Sequence, residues 1–227
     1  MKEAGTISAS VEDYLTAIYR LTPAGKPVGP ARLAEFMGLS APSITIMIKR
    51  LSEQGLVVKD NARGVALSDQ GENLALSVLR RHRLAECFLV NILGIDWALA
   101  HVEAHRFEHA FSDVVTDALE RFLGYPKACP HGNPIPDRQG NVPESDVVPL
   151  SVMLPPALAR VACVDDRDTS ILCWLAGVGL VPGVEVRVEQ VDPSGAVLLR
   201  VGDRSVAAGP EIVMNVLVRK VETSVYA

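Results

Sequence analysis

All five histidines of the chain lie between residues 82 and 131: His82, His101, His105, His109 and His131. Imidazole is the commonest nitrogen ligand of transition metals and also serves in acid–base chemistry. Three of these histidines follow one another at four-residue intervals from His101, and Glu108 stands beside the last of them. Because residues three and four apart lie on one face of a helix, His105, Glu108 and His109 surround a single groove. Two imidazoles and a carboxylate supply most of a first-row transition-metal shell.

A second group of potential ligands lies on both sides of this segment. His82 and Glu86 repeat the four-residue spacing on the preceding predicted helix, and an antiparallel neighbour would bring them against His101. Cys129 and His131 lie in a proline-rich loop, where next to a histidine cluster they are interpreted as further ligands. The sequence therefore predicts a metal-binding region with more than one candidate site.

The residues that precede this region predict a DNA-binding element. Helical spacing of apolar residues predicts helices over 8–22, 30–37 and 42–54, and two β-like runs over 56–67 enclose a turn with Lys59 and Arg63. The second helix stops at Gly38, in the turn MGLS before the third helix. This order is typical of a winged helix-turn-helix, and an αα corner of an unrelated domain is the alternative.

The rest of the chain predicts long helices followed by a small β domain. Helices are expected from 68 to about 93 and from 96 to about 119, with a break near 111–113, whereas 124–150 holds six prolines and no regular element. Short β-like runs then surround a brief helix at 170–176, which predicts a small barrel of SH3 type. The predicted strands cover 159–164, 184–190, 196–201, 204–207 and 215–221. The expected domains are 1–73 (DNA-binding), 74–146 (helical, with the candidate metal ligands) and 147–227 (barrel).

Composition excludes several classes of protein. The chain has 227 residues, of which 48% are hydrophobic and 22% charged, and this excludes disordered, collagen-like and disulfide-dense proteins. No apolar run approaches the length of a membrane span, and no export signal is visible, so a cytoplasmic location is expected. The four scattered cysteines are expected to be thiols or ligands. The net charge is −5, yet residues 1–70 carry 8 basic and 7 acidic groups, which permits contact with nucleic acid.

The order of these motifs resembles the diphtheria-toxin-repressor family of iron- or manganese-activated bacterial transcriptional repressors. The resemblance covers nearly the whole chain: the winged helix, then RRHRLAE (80–86), AHVEAHRFEH (100–109), FSD (111–113), CPHGNPIP (129–136) and GLVPG (179–183). It implies a mainly α protein with a winged helix-turn-helix, a helical dimerisation and metal-binding domain, and a small C-terminal β-barrel that is SH3-like and of FeoA type. It also implies a homodimer on palindromic operator DNA that controls genes of metal-ion homeostasis.

The resemblance further implies two sets of metal ligands. The principal site would use Asp13 with His105, Glu108 and His109. Asp13 matches the manganese-type members, whereas His105 stands where the family usually has Cys (iron type) or Glu (manganese type). The ancillary site would use either His82, Glu86 and His101, or Glu86 with Cys129, His131 and an acid of the barrel. That acid is Asp166 or Asp168 in VDDRDTS.

The expected metal is Mn²⁺, with Fe²⁺ as the alternative. A donor set of Asp, Glu and two His is harder than one with Met or Cys, and it suits Mn²⁺ or Fe²⁺. Zn²⁺, Co²⁺, Cd²⁺ and Ni²⁺ are expected to substitute in vitro. A metal that joins Asp13 to the ligands of the helical domain would stabilise the geometry that binds DNA. A dimer would then place its two recognition helices about 34 Å apart.

Eight residues are the candidates for DNA contact. Four of them, Ser40, Pro42, Ser43 and Thr45, are expected to face bases, and four are candidates for phosphate or minor-groove contact: Lys49, Arg50, Lys59 and Arg63. No enzyme activity is expected. A metallohydrolase would need an open metal position and a general base such as Glu103, but neither HExxH nor a two-metal carboxylate pattern is present. A metal-storage protein would not need the winged helix.

Overall fold

The fold is that of a computed structural model, which describes residues 7–22, 26–60, 64–143 and 146–221. Contacts divide the chain into two compact units, Met1–Arg81 with Pro136–Asn141 and His82–Ile135 with Val142–Ala227. The division falls inside a long helix, and the second unit holds the predicted β domain together with most, but not all, of the predicted helical domain. The boundaries of the three predicted domains stay a prediction. None of the described helices is long and apolar enough to cross a lipid bilayer.

The first unit is a three-helix bundle with a β-hairpin, as the sequence predicts. Its elements are α1 (Ala9–Leu21), α2 (Pro30–Met37), α3 (Ala41–Glu53), β1 (Val57–Asp60) and β2 (Gly64–Leu67). Gly38 ends α2 in the left-handed conformation (φ 65°), which glycine adopts without steric cost. Ser40 then caps α3 by accepting the backbone N–H of Ser43. The helices share a core whose fully buried members include Leu15, Ile18, Leu33, Ile44 and Leu51.

One long helix and two short ones follow the hairpin. They are α4 (Asp69–Asn91), α5 (Ala100–Glu108) and α6 (Asp113–Phe122). The predicted break between the last two is confirmed, because the Ser112 side chain accepts the N–H of Val115 and starts α6 there. The helix with the histidines begins at Ala100 rather than at Asp96, whose carboxylate instead accepts the N–H of Ala98.

The C-terminal part is a six-stranded antiparallel sheet with strand order β3-β8-β4-β5-β6-β7. Its elements are β3 (Val148–Pro149), β4 (Ala157–Val164), α7 (Thr169–Val178), β5 (Glu185–Val191), β6 (Val197–Val201), β7 (Arg204–Ala208), α8 (Pro210–Met214) and β8 (Val216–Lys220), with a 3₁₀ turn at Leu150–Val152. The predicted small β domain is thus confirmed. The sequence reading missed β3 and α8, which are too short to show a period.

The core of this β domain extends to residues that precede it in the chain. Ala98 is buried among the valines and leucines of the sheet, and Trp97 packs against the same cluster. The indole N–H of Trp97 also donates to the carbonyl of Pro130 at 2.9 Å. The segment before α5 and the proline-rich loop are therefore held against the β domain, which positions the ligands described next.

Candidate metal centre and nucleic-acid interface

The two histidine-bearing helices bring one buried imidazole between two buried carboxylates. His82 on α4 contacts Glu108 of α5 through Nδ1 and Glu86 through Nε2, the latter at 3.0 Å. Glu86 is fully buried, and His82 and Glu108 are nearly so. Burying carboxylates costs free energy unless they are paired. The two helices can therefore pack here only if a positive charge, carried by a proton or a metal ion, lies among these side chains.

Electrostatic interactions among His82, Glu86 and Glu108 shift the pKa values of all three groups. Burial favours the neutral ring of His82, but Glu86 and Glu108 outweigh it and raise its pKa from 6.5 to about 10. Burial likewise opposes ionisation of Glu108, yet hydrogen bonds from His105 and His82 lower its pKa to about 2. The pKa of Glu86 is held well below its usual value by His82, His101 and His131, against the effect of burial. In the metal-free protein His82 is thus an imidazolium.

His101 and Asp166 complete the first candidate cluster. His101 Nδ1 lies 2.9 Å from His82 Nε2, 3.4 Å from Glu86 Oε1 and 3.5 Å from Asp166 Oδ1. The Asn133 amide donates to the other oxygen of Asp166 at 3.1 Å and so orients it. Four ligand atoms, one each from His82, Glu86, His101 and Asp166, lie within 4.8 Å of one another.

The proline-rich loop adds a second cluster that shares Glu86. One ligand atom each from Glu86, Cys129 and His131 lie within 4.8 Å of one another, and all three side chains are buried. Gly132 (φ 82°) allows the loop to dock here, because a Cβ at this position would lie 2.0 Å from the carbonyl oxygen of Ala162. Burial, together with the charges of Glu86 and Asp166, raises the pKa of the Cys129 thiol well above its usual value. The thiol is protonated until a cation displaces its proton.

Unsatisfied atoms show that this cluster fits a metal ion. The carbonyl of Trp97 lies 2.9 Å from His131 Nε2 and can only accept, so Nε2 donates to it. His131 Nδ1 is left buried without a hydrogen-bond partner, 3.3 Å from Glu86 Oε1, and Glu86 Oε2 has no partner either. Metal-binding histidines almost always donate their other ring N–H to a carbonyl or carboxylate in this way. A divalent cation would satisfy the free nitrogen and the free oxygen together.

The principal-site residues of the second unit lie at the end of α5. Glu108 Oε1 is 2.9 Å from His105 Nδ1 and 3.3 Å from His109 Nε2, so the predicted groove is present. The side chain of His105 is 55% exposed, whereas Glu108 is buried. Asp13 lies half-buried on α1 of the first unit, and its role as the fourth ligand stays a prediction.

Of the two acids considered in the barrel, only Asp166 joins a cluster. The Asp168 carboxylate accepts the backbone N–H groups of Ser170 and Ile171 through Oδ1 and caps α7, and it lies outside the clusters of potential ligands found among the described residues. Sequence reasoning missed Asn133 and the carbonyl of Trp97, which orient Asp166 and His131. Asn133 follows the CPHG motif directly, but a backbone carbonyl leaves no signal in a sequence.

The predicted DNA-contacting residues lie on exposed surface of the first unit. Ser40, Pro42, Ser43 and Thr45 are exposed at the start of α3, and Lys49 and Arg50 follow one turn later. Lys49 lies 3.9 Å from Glu53, both largely exposed, and Lys59 is exposed on β1. Arg63 lies outside the described residues. The reading of α3 overlooked Ile46, which is 71% exposed.

The shifted groups predict how pH affects the metal-free protein. A histidine whose pKa is raised by folding contributes stability that is present below 6.5 and lost as the pH rises toward its folded value of about 10. Glu108 contributes stability above 4.5 that is lost as the pH falls toward about 2. We expect the thermal unfolding midpoint without metal to be highest between about pH 4.5 and 6.5. His82→Gln should flatten the alkaline decline, and an unchanged decline would show that another group causes it.

Three family models of known proteins match consecutive parts of this chain. Residues 6–65 match the iron-dependent repressor N-terminal DNA-binding domain, 68–137 its metal-binding and dimerisation domain, and 148–220 the FeoA domain. The iron-dependent repressor IdeR of Mycobacterium tuberculosis is 33% identical over 93% of this chain and 97% of its own length. The diphtheria toxin repressor of Corynebacterium glutamicum is 32% identical over 94% and 97%. A solved manganese-dependent transcriptional repressor in complex with manganese has a TM-score of 0.86 and 33% identity, and the match covers 93% of this chain and 100% of that one.

Proposed function

This chain belongs to the diphtheria-toxin-repressor family of metal-dependent transcriptional repressors, and we propose that it is activated by Mn²⁺ to bind palindromic operator DNA as a homodimer. Its targets would be genes of metal-ion homeostasis. Fe²⁺ is the alternative activator, since relatives named for iron and for manganese are both similar to this chain. The family consists of repressors rather than enzymes, and a metallohydrolase stays the remote alternative.

The observation that carries the proposal is that two buried atoms, His131 Nδ1 and Glu86 Oε2, have no hydrogen-bond partner. Both atoms are buried, so only a bound cation, or a proton in its absence, offsets their cost. We assign the ancillary metal to His82, Glu86, His101 and Asp166, with Cys129 and His131 as a second set around Glu86. We assign the principal metal to His105, Glu108 and His109, with Asp13 as the predicted fourth ligand. The metal would supply positive charge that holds these side chains in one arrangement.

Dimerisation is supported by apolar surface on the helical part of the second unit. Large apolar side chains that lie between the end of α4 and the residues after α6 are 39% to 80% exposed: Ile92, Leu93, Leu99, Val102, Phe107, Val114, Val115, Phe122 and Tyr125. A monomer that left so many large apolar groups in water would be unusual. Their burial against a second copy of the chain would remove them from water.

The proposed function is tested by a titration of DNA binding with each metal in anaerobic buffer. The chain is incubated with a pool of random duplexes and Mn²⁺, Fe²⁺, Co²⁺ or Zn²⁺, and bound sequences are selected. We expect the selected duplexes to share a palindromic sequence, and the affinity of the chain for them to fall by orders of magnitude when a chelator removes the metal. Metal-independent binding, or metal-dependent hydrolysis of a phosphate or peptide ester without DNA binding, would overturn the proposal.

The choice between manganese and iron is tested at His105. His105→Glu adds a hard, negatively charged oxygen to the groove, so we expect half-maximal operator binding at a lower Mn²⁺ concentration. His105→Gln keeps the position neutral and separates the effect of charge from the loss of the ring. Asp13→Met should shift activation toward Fe²⁺ or Co²⁺. A parent protein that responds to Fe²⁺ at far lower free concentration than to Mn²⁺, relative to their cellular levels, would refute the manganese assignment.

A further inference from the structure

The outward face of α3 carries one large apolar side chain in water. Ile46 is 71% exposed, although Ile44, Ile48 and Leu51 of the same helix are buried in the core. Isoleucine has a lower helix propensity than lysine, arginine, glutamine or glutamate, so an exposed isoleucine contributes little to the free helix. Its apolar surface is available to a ligand.

The polar groups around Ile46 are poorly suited to reading bases through hydrogen bonds. The hydroxyls of Ser40 and Ser43 pair with each other at 2.9 Å, and Thr45 donates its hydroxyl proton to the carbonyl of Ala41. Between Ala41 and Met47 there is no arginine, lysine, asparagine or glutamine, the side chains that pair in bidentate fashion with guanine or adenine. The first two turns of the helix therefore offer mainly apolar contact.

The surroundings indicate which ligand covers this face. Lys49 and Arg50 are exposed one turn further along α3, and Lys59 is exposed on the hairpin. Cations beside an apolar side chain match a duplex, whose phosphates border a major groove in which thymine presents a 5-methyl group. We propose that Ile46 selects thymine in the operator by contact with that methyl group. The inference rests on the proposed function, since it requires α3 to enter the major groove.

The test removes the methyl group alone. Once the preferred duplex has been selected with the metal-loaded full chain, each thymine is replaced in turn by deoxyuridine, and the affinity of each duplex is measured. For the parent protein, we expect one or two positions in each half-site to lose about fourfold in affinity, the factor for one methyl-sized group. Ile46→Ala should bind the unmodified duplex less tightly and should lose nothing further at those positions.

Two controls make the outcome decisive. Val152→Ala removes an exposed β-branched side chain from the 3₁₀ turn of the β domain, outside both the DNA-binding unit and the proposed dimer surface, and should keep the parent's response to deoxyuridine. Unchanged thermal unfolding of Ile46→Ala shows that the fold is retained. If the parent is indifferent to deoxyuridine at every position, or Ile46→Ala responds as the parent does, the inference is wrong while the proposed function stands. If the parent selects no sequence with any metal, the proposed function fails and this inference fails with it.

Discussion

Glu108→Gln should abolish metal-activated DNA binding. The carboxylate of Glu108 lies 2.9 Å from His105 Nδ1 and 3.3 Å from His109 Nε2, and it also contacts His82. The amide keeps the volume of the side chain but removes the negative charge that a divalent cation requires. Loss of a residue that only orients a ligand costs roughly 10- to 100-fold in metal affinity, so loss of a ligand should cost at least about 100-fold. The measurement is operator affinity against free Mn²⁺ concentration.

Two further variants keep this test interpretable. Glu103→Gln changes a partly exposed carboxylate of the same helix that pairs with Arg106 and belongs to none of the groups of potential ligands, so activation should be unchanged. His109→Ala removes another proposed ligand of the principal metal, so it should reproduce the defect. Normal repression by Glu108→Gln at ordinary metal levels would mean that the principal site lies elsewhere.

Glu86→Gln should have the second large effect, a loss of ancillary metal binding. Glu86 belongs to both buried clusters, and its Oε1 lies within 3.4 Å of ring nitrogens of His82, His101 and His131. Without its charge the clusters keep their imidazoles but lose the carboxylate that they share. We expect metal bound per chain to fall and higher metal concentrations to be needed for DNA binding, as measured by elemental analysis and by operator titration.

A pair of acids in one loop provides the matched control. Asp166→Asn removes a cluster member and should weaken ancillary binding less than Glu86→Gln does, because Glu86 serves both clusters. Asp168→Asn changes the residue that caps α7 and should leave metal binding unchanged, at a cost in stability of no more than about 1 kcal/mol. An equal loss of metal binding in both aspartate variants would show that the substitutions disturbed the loop rather than removed a ligand.

Local patterns in the sequence determined most of the elements and the composition of the site. Pro30 and Gly38 set the ends of α2 at the predicted residues because proline favours the first helical turn and glycine the left-handed stop. The spacing of His82 with Glu86, and of His105 with Glu108, was sufficient to place each pair on one helical face, since helical geometry acts over three or four residues. These inferences need no knowledge of how distant parts of the chain pack.

Tertiary structure alone decided which potential ligands lie close together. Asp166 and Asp168 are two residues apart in the sequence. Because α7 starts at Thr169, Asp168 caps that helix, whereas the carboxylate of Asp166 lies beside His101. His131 faces Glu86 because the Gly132 turn docks against β4 and because Trp97 offers its carbonyl to the other ring nitrogen. Likewise β3 and α8 exist through pairing and packing with β8 and its surroundings. The physical reason is that such contacts join residues far apart in the chain, so the periodicity of a short stretch of sequence cannot indicate them.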